Sequence, residues 1–266
     1  MTREMIIEEL EKRGIQAEAA DQVKNGVTLQ GIMFHMGGNI APVIYVDSYL
    51  NSRMSIDAVV DEIIEALRHC KVPEIDMQKL LDKDFISEHL HIGFLRESNP
   101  DLVNKETCFD GIVSVLMLLC DDYNMKIKKG FLENINLTEE EAWEIAQKNV
   151  CKNSMYIKMS DQLGIPETEA DNMIPMYILT NIQKYYGASS ILDTDAVKKI
   201  CTEMKTDKVY VIPSSIHETI LVPKRCGRVN EFNQMVKDIN NSTVRPEEQL
   251  ADRVFLLDVK QYEHLR

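Results

Sequence analysis

Val209-Tyr210-Val211-Ile212-Pro213-Ser214-Ser215-Ile216-His217-Glu218-Thr219-Ile220-Leu221-Val222 is the stretch that decides the fold. Two runs of strand formers, 209–212 and 216–222, flank Pro213-Ser214-Ser215, so the segment reads as a β-hairpin. Upstream, residues 193–204 place Ala196, Val197, Ile200, Cys201 and Met204 on one face of a helix, and 176–179 has the composition of a short strand. Downstream, Val229, Phe232, Met235, Val236 and Ile239 fall on the inner side of a second helix. Pro246 then opens a short helical turn, and 254–259 is a last strand. Strand-helix-strand, stated twice, is the order of a split β-α-β layer.

The rest of the chain uses the same vocabulary. Residues 2–13 form a charged helix ended by Gly14. Runs 27–35 and 40–46 form a hairpin about Gly37-Gly38-Asn39, with the second strand at an edge or starting after Pro42, which has no N–H to donate. Ser55 caps a helix whose apolar stripe is Ile56, Val59, Val60, Ile63, Ile64 and Leu67, and Pro73 stops it. Residues 85–94 are a strand or an irregular segment. Residues 111–119 and 125–131 form a further hairpin, and Thr138 with Glu141 is a capping box opening a helix with Trp143, Ala146 and Val150 on its apolar face. The expected class is α+β, with antiparallel or mixed sheets covered by amphipathic helices and a C-terminal part of split β-α-β type. The polar stretch 96–107, holding Asn99-Pro100-Asp101, marks a boundary between α+β regions at 1–98 and 99–266, unless the two are one continuous unit.

The chain has 266 residues, 43 acidic and 30 basic, for a net charge of −13. Nucleic-acid binding rests on neutralising phosphates, and anionic lipid repels an acidic protein, so neither partner is expected. The six cysteines are scattered with no C-x-x-C pair, which argues against a cysteine zinc site and for a reducing compartment. The charged N-terminus lacks a signal-peptide core, and the most apolar stretch, 112–120, is too short to span a bilayer. A cytoplasmic location is expected.

Ser214, Ser215, His217 and Glu218 are the candidate site, because they gather a nucleophile type, a base type and an acid. On a strand, however, His217 and Glu218 point to opposite faces, and serines are common in turns for their backbone hydrogen bonds. His89 and His91 have the spacing to share a strand face but lack an evident third ligand, so no metal is expected. No phosphate-binding glycine loop occurs: Met36-Gly37-Gly38 is followed by Asn39-Ile40. No cofactor is expected.

Two sets of residues, Asn25-Gly26-Val27, Gly31-Ile32 and 39–45, then 214–218, Pro223, 233–236, 246–248 and 250–252, resemble an uncharacterised bacterial protein family over nearly the whole chain. Residues 187–192 also faintly resemble a second such family. The resemblance implies a bacterial cytoplasmic protein and carries over no functional residue. The expected function is a non-enzymatic binding or interaction protein for a small ligand or another protein. The alternative is a hydrolase using His217 with a carboxylate from elsewhere in the chain.

Overall fold

The computed structural model describes residues 1–37, 40–97, 99–170 and 173–262, which form two compact units, Met1–Met77 and Gln78–Arg266. The first begins with α1 (Arg3–Lys12), whose Thr2 side chain accepts from the Met5 N–H and whose end is set by Gly14 at φ +81°. Strands β1 (Ala17–Ala19), β2 (Gln22–Lys24), β3 (Val27–Leu29), β4 (Gly31–Phe34) and β5 (Val43–Tyr45) follow, then α2 (Asp47–Leu50) and α3 (Ile56–His69). β4 lies between β1 and β5, antiparallel to both. The run 27–35 therefore yields two strands rather than one, since β3 pairs with β2 across the tight Asn25-Gly26 turn. Both turn residues have positive φ, 49° and 79°, as such a turn requires. Of the turn residues expected between β4 and β5, Gly38 and Asn39 lie outside the described residues. β5 begins just after Pro42, at the edge of its sheet. The apolar faces of α1 and α3 close over β4 around Ile6, Leu10, Ile32, Phe34, Val59 and Ile63, all fully buried or nearly so.

The second unit opens with α4 (Lys83–His89), capped by the Asp82 side chain, which runs directly into β6 (Leu90–Leu95). The segment 85–94, expected as strand or irregular, is thus half helix and half strand. β7 (Asn104–Glu106) forms within the polar stretch expected to be a boundary, and β8 (Val113–Leu119) and β9 (Asn124–Lys126) make the expected hairpin. β8 is the middle of this sheet, flanked by β6 on one side and by β7 and β9 on the other, all antiparallel. The β6–β8 pairing places residues 90–95 in the same sheet as 113–119, across the boundary expected after residue 98. α5 (Glu139–Asn153) carries the full Thr138–Glu141 capping box and buries Trp143, Ala146 and Val150. Asn149, on α5, donates to the carbonyls of Ser87 and Leu90 and so fixes the α4–β6 junction.

β10 (Ser154–Lys158) continues from α5, followed by α6 (Met159–Gln162), α7 (Glu167–Ala170), β11 (Tyr177–Asn181), α8 (Thr194–Glu203), β12 (Lys208–Ser215), β13 (Glu218–Pro223), α9 (Val229–Ser242), β14 (Phe255–Asp258) and α10 (Val259–Tyr262). Their sheet has the order β10-β11-β13-β12-β14, antiparallel throughout. β11 and β12 therefore run the same way with β13 between them, joined through α8. β13 and β14 run the same way with β12 between them, joined through α9. Two split β-α-β units interlock about the 209–222 hairpin, the arrangement the strand-helix order calls for.

Two details depart from the sequence reading. Pro213 lies inside β12, where the register with β13 shifts between Ile212 and Ser215 and the pairing with β14 has already ended at Val211. No ladder donor is needed there, so proline does not end the strand. The turn is Ile216-His217 instead of Pro213-Ser214-Ser215. On α9, Phe232 and Val236 are buried as expected, but Val229 and Ile239 are exposed at 43% and 39%, and Asn240 takes an inner position by donating to Ala251 O and Asp252 Oδ1.

Among the described residues, no helix is long and apolar enough to cross a membrane.

Candidate functional site

His217, in the two-residue turn between β12 and β13, presents its ring to the turn that follows β11. Nδ1 accepts the Tyr186 backbone N–H at 3.2 Å, so the ring is neutral in this bond, with its proton on Nε2. Nε2 lies 3.6 Å from Glu248 Oε1, close enough for an ion pair when the ring is charged but beyond hydrogen-bond reach. Tyr185 stacks on the ring with centroids 4.8 Å apart. The backbone of the turn is held as well: Thr180 Oγ1 donates to His217 O at 2.8 Å, and Ile216 N–H donates to Glu248 O.

The other candidate residues do not converge on the imidazole. Ser215 Oγ, buried, accepts the backbone N–H of His217 at 3.1 Å. Ser214 Oγ donates to Glu218 Oε1 at 3.4 Å. The cluster is a hairpin corner closed by its own polar groups. A histidine next to a carboxylate can shuttle a proton, but neither serine hydroxyl is bonded to a ring nitrogen as an acyl-transfer nucleophile would be.

His89 and His91 do not share a face. His89 ends α4, where its ring stacks on Phe85 with centroids 4.2 Å apart and Nδ1 donates to Phe85 O. His91 belongs to β6 and is buried. Its Nε2 donates to Tyr186 O at 3.1 Å, and burial pushes its pKa down to about 4. Tyr186 is thus held by two histidines, His217 on its N–H and His91 on its carbonyl. No group of three or more metal-ligating side chains occurs among the described residues.

A cleft of about 730 Å³ lies elsewhere in the second unit, between α5 and the β6-β8-β7 sheet. Its volume is within the range of small-molecule sites, roughly 300–1,000 Å³. Ile92 of β6 and Ser114 of β8 contribute from the sheet, and residues 105–108 from β7 and the loop after it. Trp143, Gln147 and Cys151 of α5 form a wall, and Leu192 and Tyr262 close one end.

Three of its polar groups are bonded to the protein. Gln147 Nε2 donates to Leu192 O, Thr107 Oγ1 donates to Ile112 O, and Tyr262 Oη donates to Ile191 O. Burial pushes the Cys108 thiol pKa up, so it is a poor nucleophile at neutral pH. The Trp143 ring is nine-tenths buried, and its indole N–H is shut off from water without any acceptor among the described residues. The ammonium of Lys105 sits over this ring, 4.8 Å from the centroid.

Nothing local in the chain points to this site. Trp143 has the spacing of an ordinary core residue on α5, and Lys105 lies 38 positions before it in a stretch that reads as loop. Only the packing of α5 on the sheet brings them together.

The second unit is an all-antiparallel α+β protein with a split β-α-β layer and a largely apolar cleft beside a separate sheet. The sequence model of a family of unknown function, DUF5688, matches residues 2–258, and the chain belongs to that family. No curated protein and no solved structure matches it.

Proposed function

We propose that the chain is a non-enzymatic binding protein that takes a small, largely apolar ligand in the Trp143 cleft. The observation that carries this reading is the cleft itself: a concavity of ligand size, walled by an aromatic ring, with Gln147 and Tyr262 in its lining bonded to the protein. The proposed setting is the cytoplasm of a bacterium. The free state of all six cysteines supports a reducing compartment, and the family resemblance supports the source.

Trp143 is the only tryptophan in the chain, so its fluorescence reports on the cleft alone. Titration with the apolar dye 1-anilinonaphthalene-8-sulfonate should quench Trp143 to saturation at one dye per chain. Leu192→Phe, which adds bulk at the end of the cleft, should weaken that binding by about tenfold, or roughly 1.4 kcal/mol. A linear response without saturation, or equal binding by the variant, removes the reading.

The alternative hydrolase reading draws on one specific observation, the 3.6 Å approach of Glu248 to His217. If that pair serves catalysis, the protein turns over p-nitrophenyl esters and His217→Gln loses at least about a hundredfold in kcat/KM, the usual scale for a general base. We expect no turnover above the buffer rate, because both serine hydroxyls are engaged away from the ring.

A further inference from the structure

We infer a second binding site, for the phosphate group of a small phosphate monoester, in a concavity of about 780 Å³ at the start of α9. It shares no lining residue with the Trp143 cleft and stands independently of that reading. Two features point to an anion there. The first is the Tyr210 hydroxyl. Tyr210, on β12, is only 6% exposed, and its ring packs on Phe232 of α9 with centroids 5.4 Å apart. A tyrosine so buried usually gives its O–H to a partner, yet Tyr210 Oη has none among the described residues. The oxygen is not sealed in the core but stays open to the concavity that the residue lines, so a ligand reaches it. The second feature is the helix start. The first N–H groups of a helix lack intrahelical partners and carry its positive partial charge. Those of Glu231 and Phe232 turn back onto Arg228 O, whereas those of Val229 and Asn230 have no acceptor among the described residues. Val229 and Asn230 line the same concavity as Tyr210.

Three charged residues belong to the lining. Arg228 and Glu231 answer each other: Arg228 Nε and Nη2 lie 3.0 and 2.8 Å from Glu231 Oε1, and Glu231 Oε2 accepts the Arg228 N–H at 3.0 Å. The one acid is thus neutralised and tied to the cap, away from the Val229 and Asn230 N–H groups. Lys224, in the 3₁₀ turn Lys224–Cys226 after β13, makes no ion pair with any described residue and is the unmatched charge of the lining. Hydroxyl, ammonium and two backbone N–H groups around one concavity suit a phosphate monoester, whose dianion offers three strong acceptor oxygens where a carboxylate offers two in one plane. The volume lies within the range of small-molecule sites, roughly 300–1,000 Å³, which leaves room for the body of the ligand.

The test titrates the full chain with phenyl phosphate, inorganic phosphate, benzoate and phenol, by calorimetry at neutral pH and fixed ionic strength in a phosphate-free buffer. Phenyl phosphate should bind at one per chain, at least about tenfold more tightly than benzoate or phenol. It should move the Val229 and Asn230 amide resonances and leave Trp143 fluorescence unchanged. Lys224→Met should weaken it by about tenfold, and Tyr210→Phe, which keeps the ring on Phe232 and removes only the hydroxyl, by about fivefold. Lys224 is exposed, so its variant does not depend on a repacked core. Lys237→Met removes the same charge from α9 outside the concavity and should change nothing. An equal loss in Lys237→Met assigns the binding to overall charge and overturns the site. So does full affinity in Tyr210→Phe, or quenching of Trp143 while the two amides stay still. Benzoate or phenol binding as tightly as phenyl phosphate overturns the phosphate, and inorganic phosphate binding as tightly assigns the site to the free ion instead of a monoester. If no probe binds, the site does not exist, and the Trp143 cleft is untouched by that result.

Discussion

Gly187→Ala is expected to destabilise the second unit by about 3 kcal/mol, at the upper end of what overpacking a core does. Gly187 opens the 3₁₀ turn Gly187–Leu192, directly after the Tyr186 position held by the two histidines. Its backbone is not in the left-handed region, so conformational freedom is not the reason for glycine. Space is. A Cβ here would lie 2.6 Å from Asn181 N and 2.7 Å from His217 O, and would also strike Thr180 Oγ1.

Two of those three atoms are backbone, one in β11 and one in the β12–β13 turn, and neither can swing away as a side chain does. The methyl must separate β11 from the hairpin corner, losing the Thr180–His217 hydrogen bond and the Tyr186–His217 lock together. Gly93→Ala is the internal comparison. There the closest atom is Met117 Sδ at 2.7 Å, the movable part of a flexible side chain, so the loss should be smaller. Urea unfolding of the three proteins decides the matter: a Gly187→Ala midpoint within about 1 kcal/mol of the parent, or a larger loss in Gly93→Ala, contradicts the argument.

The second large effect is acid sensitivity from His91. Burial lowers its folded-state pKa from 6.5 to about 4, and its hydrogen bond to Tyr186 O only partly opposes that. Between those values the unfolded chain takes up a proton that the folded chain refuses. Unfolding is then favoured as pH falls: stability is intact above about 6.5 and drains away down to about 4. At 1.36 kcal/mol per unit, the loss across the window is about 3 kcal/mol.

His91→Gln, which offers an amide N–H to Tyr186 O, should have lower stability at pH 7 but no such slope. The carboxyls held below their usual range, Glu141 by the Thr138 cap and Asp258 by Lys208 among them, act in the same direction at lower pH. Their stabilisation is present above the ordinary carboxyl pKa and is lost as pH falls through the depressed value. Parent and variant share it, so it cancels when their unfolding free energies are subtracted across pH 4–7. A difference that stays flat over that range rules out His91 as the source.

Much of the architecture was legible in the chain because it rests on local rules. The stripe Val59, Val60, Ile63 and Leu67 is buried as its spacing requires, and Thr138 with Glu141 forms both halves of its capping box. The alternation of strands and helices after residue 176 could hardly pack otherwise than as a split β-α-β layer. Local rules erred where tertiary pairing overrode them. Pro213 reads as a turn residue, yet it sits inside β12 because the ladder is interrupted at that point. His89 and His91 have the spacing to share a strand face, yet α4 ends between them where pairing with β8 takes over at Leu90. Ser214 and Glu218 meet through their side chains, but proximity along the chain does not aim either serine hydroxyl at the His217 ring. His217 instead turns to Glu248 and to the Tyr186 backbone, both some 30 positions away.

By itself, then, the sequence determined the long helices, most of the hairpins and the alternation of strands and helices after residue 176, together with the acidic charge, since periodicity, caps and composition act over a few residues. Tertiary structure alone decided the sheet orders, the two-histidine grip on Tyr186, and the cleft where Lys105 meets Trp143. Those depend on residues 31 to 95 positions apart being brought within a few ångströms, and no local signal encodes that distance.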